Sequence, residues 1–72
     1  MNANTKRAAT KATSEQILDA TILYVLTDHR NPETPDAIAA HMMVPRVRVL
    51  AACERMHSAG RLVRLGTGYK VA

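Results

Sequence analysis

The sequence predicts a small, mainly α protein of three helices followed by a β-hairpin. Two helix-start signatures and one proline-led amphipathic stretch mark the helices. After Ala59-Gly60 the apolar period changes from helical to alternating, which marks the hairpin. The chain has 72 residues, enough for one small domain and close to the lower limit for burying a core without help.

Met1 to Ala12 is small, polar and basic, with Lys6, Arg7 and Lys11 and no acid. It has no hydrophobic period and is read as a flexible basic arm, residues 1–12, ahead of a domain over 13–72. Thr13 opens the first helix. Gln16 stands three residues on, as in a capping box, and Glu15 suits the positive end of the helix dipole. The helix is expected to reach Asp28 or His29. Leu18, Ile22, Val25 and Leu26 form one apolar stripe, the side that faces a core. Ile17, Ala20 and Tyr24 form a second stripe roughly opposite. A helix that is apolar on two sides in so small a protein calls for a second partner, so these three residues are the expected homodimer surface. The other reading is that the arm or the hairpin covers them.

Asn31-Pro32-Glu33-Thr34-Pro35 interrupts the helical pattern. Thr34 before Pro35 and Asp36 is a second N-cap, with proline at its favoured first-turn position. The second helix is short, about 35–42, with Ile38 and Met42 turned inward. Met43-Val44 then makes a tight connection to Pro45 and the third helix.

The third helix, about 45–59, organises the rest. Val49, Cys53, Met56 and Gly60 fall on one side of it, and Val47, Arg48, Ala51 and Arg55 on the opposite side. The first side is structural. The second places arginines next to a small residue, which suits close approach to a polyanion. Beyond Gly60, Val63 and Leu65 are expected to share a face with Tyr69 and Val71. Gly66-Thr67-Gly68 is read as a three-residue loop. That loop pairs Leu65 with Tyr69, Arg64 with Lys70 and Val63 with Val71. Two cations facing each other disfavour a purely structural hairpin and suit one that meets phosphates.

Charge supports a polyanionic partner. The net charge is +4, with an acidic middle between basic ends: residues 44–72 hold six cations against Glu54 alone. Enzymatic chemistry has little support. Cys53 and His57 are four apart on one helix, but Cys53 falls on the apolar stripe, where a thiol acts as a small hydrophobe. No spacing assembles a metal-ligand set or a phosphate loop, so no catalytic residue, metal or cofactor is expected. A domain this small is expected to leave no room for a drug-sized effector pocket. Cys53 is the lone cysteine, and no apolar run is long enough to span a membrane. A soluble, cytoplasmic protein is expected.

The order helix, short helix, turn, longer helix, hairpin resembles the winged helix-turn-helix family. The stretch Ala37 to Val49 resembles its two-helix signature, with Ile38-Ala39 as the inward apolar–small pair and Val49 as the buried residue of the recognition helix. His57 to Val63 resembles the helix exit and first wing strand, and Gly68 to Val71 the return strand. The resemblance covers about 13–72 and does not select a subfamily. It implies sequence-selective binding of double-stranded DNA by a small transcriptional regulator whose third helix enters the major groove. On that reading Arg48 and Arg55 offer forks to guanine, Val47 meets a thymine methyl, Ala51 allows close approach, and Arg46 clamps a phosphate. Arg64, Lys70 and the backbone near Thr67 would form the wing contact. Two features depart from the family pattern. Met43 stands where the turn often has glycine, which suggests a turn of another type, and the wing tip Gly66-Thr67-Gly68 has no cation. The rival reading is a protein–protein interaction module of the same fold.

Overall fold

The first helix of the computed structural model, which describes residues 13–72, begins with a complete capping box. Thr13 Oγ1 accepts from the Gln16 amide at 3.1 Å, and Gln16 Oε1 accepts from the Thr13 amide at 2.8 Å. Helix α1 spans Ser14–Thr27. Helix α2, Pro35–Met42, starts with Thr34 Oγ1 accepting from the Ala37 amide at 3.1 Å. Helix α3 is Arg46–Ser58. Strands β1, Leu62–Leu65, and β2, Gly68–Val71, form the antiparallel hairpin. The expected basic arm, residues 1–12, lies outside the described residues.

One core serves every element. Leu18, Ile22 and Leu26 of α1, Ile38 and Ala39 of α2, Val49, Ala52, Cys53 and Met56 of α3, and Leu62 and Tyr69 of the hairpin are all buried in it. With no Phe or Trp available, it is filled by branched aliphatics, Met56, small residues and one ring. Ala52 belongs to it as well, so the apolar side of α3 is wider than Val49, Cys53 and Met56 alone.

The turn between α2 and α3 corrects an expectation. Met43 is not avoided by a different turn type. It adopts the left-handed conformation itself, at φ 58° and ψ 43°. The Val44 amide then returns to the Ala39 carbonyl at 3.1 Å. This is the six-to-one closure usually given to glycine. A side chain in that region costs roughly 1 kcal/mol, and Met43, at 89% exposure, recovers little of it by packing. Gly60 (φ 77°) closes α3 in the same way, with the Arg61 amide on the Met56 carbonyl at 2.9 Å.

The hairpin register is also corrected. The pairs are Leu62 with Val71, Val63 with Lys70, Arg64 with Tyr69 and Leu65 with Gly68. The loop therefore has two residues, Gly66 and Thr67, with Gly66 at φ 64° as the first position of a II′ turn requires. The cause is Gly68. A Cβ there would stand 2.8 Å from Pro32 Cβ and 3.0 Å from the Pro32 carbonyl carbon. Pro32 takes the space over Gly68, so this glycine serves in the strand and not in the loop. A one-residue slip exchanges faces. Leu62 and Tyr69 are inward, while Val63 and Leu65 are exposed on the side of Lys70. Arg64 and Lys70 are on opposite faces, so no pair of facing cations exists.

A further contact widens the sheet. Tyr69 donates to the Glu33 carbonyl at 2.8 Å and accepts from the Glu33 amide at 3.0 Å. The segment before α2 is thereby tied to β2, and α1 and α3 pack against the hairpin.

Candidate nucleic-acid interface

Helix α3 buries Val49, Ala52, Cys53 and Met56 and turns the rest of its surface outward. At 100° per residue the middle of the outward side is Val47, Ala51, Glu54 and Ser58. Val47 is 71% exposed. Arg48 and Arg55 flank this line on the α1 side, and Arg46 and Leu50 flank it on the hairpin side.

The structure separates the three arginines of α3 by their partners. Arg55 forks onto Asp19 of α1, with Nη2 on Oδ1 at 2.5 Å and Nε on Oδ2 at 3.3 Å. The hydrogen bond to Asp19 holds the Arg55 guanidinium still more firmly in its charged form. Arg46 pairs with Asp36 in the first turn of α2. Among the described residues, Arg48 makes no ion pair. Of the sequence-predicted residues, Val47, Arg48 and Ala51 share one open surface and Arg55 lies at its edge, tethered.

On the hairpin side a groove of about 410 Å³ runs between α3, the start of α2 and the turn. It brings Arg46, Arg64 and Thr67 together. Lys70 is not among them and sits half-buried on the hairpin's other face. The groove also contains Asp36 and Glu54, so its two arginines are balanced by two carboxylates.

Three acids beside the candidate interface escaped the sequence reading. Glu54 could have been found, because the wheel that places Val47 and Ala51 outward places Glu54 beside them. Asp19 and Asp36 could not, since their pairing with Arg55 and Arg46 depends on the angles at which separate helices pack. Lys6, Arg7 and Lys11 precede the described domain with no acid, so the net +4 leaves that domain only +1.

Cys53 is fully buried, and burial, with the Asp19 and Glu54 charges added, pushes its thiol up to about 11. Such a thiol is a packing group, not a nucleophile. Among the described residues no helix is long and apolar enough to cross a membrane. The chain matches no family model, no curated protein and no solved structure.

Proposed function

We propose that residues 13–72 form a winged helix-turn-helix domain that binds double-stranded DNA sequence-selectively, as small transcriptional regulators do. The observation that carries this reading is the outward side of α3. Val47, Arg48 and Ala51 stand on the exposed face of α3, which no other described element covers, and the alanine allows close approach. An α-helix of this width fits the major groove. Arg48 offers a bidentate fork to guanine, Val47 an apolar contact to a thymine methyl, and Glu54 an acceptor for the cytosine amino group. Arg46 and Arg64 reach backbone phosphates at the cost of their balance with Asp36 and Glu54. Because the described domain has a net charge of only +1, affinity rests on local placement of cations more than on overall attraction.

The test is anisotropy of a labelled duplex of random sequence, titrated with the full chain over a series of salt concentrations. Binding that weakens with a log–log slope of about −3 to −5 supports three to five phosphate contacts. No association even at low salt overturns the reading in favour of a protein-binding module of the same fold. Selection from a random duplex pool then identifies the bases read.

A further inference from the structure

An open apolar groove of about 640 Å³ lies on the other side of α3, between α1 and the turn that joins α2 to α3. Ile17 and Tyr24 form one wall at 56% and 75% exposure, and Met42 and Val44 the other. Neither the hairpin nor any other described element covers it. Apolar area of this kind on a small protein marks a surface made for contact.

The charge along the groove is one-sided. Its lining includes Arg48 and His41 and no carboxylate. Arg46 and Arg55, the other arginines of the same helix, each have an acid, so Arg48 stands apart from them. The backbone of the walls restricts the shape of any occupant. The α1 wall is helical, with its N–H and C=O groups bonded within its own turns, so it offers no ladder to an extended strand. A segment that satisfies its own backbone fits, which means a helix. Ile17 and Tyr24 are seven residues apart, about 10 Å along α1, the length of two helical turns.

We propose that this groove is the docking site for an amphipathic helix of another protein that carries a carboxylate beside its apolar stripe, to pair with Arg48. A second copy of this chain fits less well. A two-fold interface places the same lining on both sides. Two Arg48 side chains would then enter one interface whose lining supplies no acid. Leaving a cation unpaired in an apolar contact is costly. Arg48 is also the residue assigned to guanine, so a docked helix and a duplex would compete for it. The peptide assay contains no DNA and therefore tests the groove by itself.

The probe is a fluorescein-labelled helical peptide of about 15 residues, with leucines at i, i+3, i+4 and i+7 and glutamates flanking them. A control peptide has lysines in place of the glutamates. Anisotropy with the full chain should show the glutamate peptide binding about tenfold or more tightly than the lysine peptide. Arg48→Glu should invert that preference. Tyr24→Glu should weaken both peptides while the thermal melt is unchanged, since Tyr24 is exposed. Absence of binding by either peptide overturns the proposal, as does equal binding that Arg48→Glu leaves unaltered. Sedimentation that shows a dimer dissociated by Tyr24→Glu assigns the groove to a second copy and overturns it too.

Discussion

Asp19 of α1 and Arg55 of α3 are locked by a two-contact fork, and Asp19 holds its place with only 13% of its side chain exposed. The pair fastens the C-terminal half of α3 to α1. It also holds back a guanidinium that stands at the edge of the proposed DNA-reading surface. Replacing Asp19 by Asn keeps the shape and removes the charge. If Arg55 is thereby released to a phosphate, the salt dependence of duplex binding should steepen by about one in log–log slope. A slope that stays the same or becomes shallower would show that Arg55 is only a structural tie.

Arg48 and Lys70 should behave differently from each other. Arg48→Ala is expected to cost about 1–3 kcal/mol on the preferred site and to relax base preference there. Lys70, half-buried on the far face of the hairpin, should weaken all duplexes alike when changed to Ala, or have no effect. Competition binding with matched and mismatched duplexes separates these results. Equal losses of preference from both variants would sink the assignment of roles.

Met43 stores backbone strain that a glycine would relieve. Met43→Gly should raise stability by at most about 0.5 kcal/mol in urea denaturation, net of the extra freedom of glycine in the unfolded chain. Met43→Val should lower it, because branching at Cβ worsens the clash in the left-handed region. A Met43→Gly variant less stable than the parent would mean that the methionine packs in solution.

Gly68→Ala should destabilise the fold by roughly 1–3 kcal/mol, because its methyl would press on Pro32, backbone included. Pairing Gly68→Ala with Pro32→Gly, which removes the Cβ that stands 2.8 Å away but leaves the backbone, should recover part of that loss in a double-mutant cycle. No recovery would place the strain elsewhere.

Cys53 gives a pH signature. Its folded-state thiol titrates near 11, above the ordinary value near 8.5 in an unfolded chain. Between these limits the unfolded state loses the proton while the folded state keeps it. Stability should therefore be fully present below about pH 8.5 and fall as pH rises toward 11. Cys53→Ala should flatten this part of the profile measured by chemical denaturation. A thiol reagent at pH 8 should label the native protein no faster than its unfolding permits, and rapid labelling would contradict the burial.

Much of the fold could be read from local chemistry. Thr13 with Gln16, and Thr34 with Pro35, announce helix starts because a cap needs only residues three apart. Leu18, Ile22 and Leu26 announce a buried face through spacing alone, as do Val49, Cys53 and Met56. The hairpin could be located but not registered. Two glycines around Thr67 both suit a loop, and only contact with Pro32, some 36 positions earlier, decides which of them the strand must keep. Likewise the bridge from Glu33 to Tyr69 is one residue long and leaves no alternating pattern behind.

The same division applies to the candidate interface. Periodicity by itself determined that Val47, Arg48 and Ala51 share a side of α3, because a helix sets the direction of each side chain every 100°. Tertiary structure alone decided which arginines have acids beside them. Asp36 reaches Arg46 across the turn between α2 and α3, and Asp19 reaches Arg55 where α1 crosses α3, whereas Arg48, beside the open groove, makes no ion pair among the described residues. Helical spacing is a property of the local chain. The pairing of charges depends on where the core brings separate helices together.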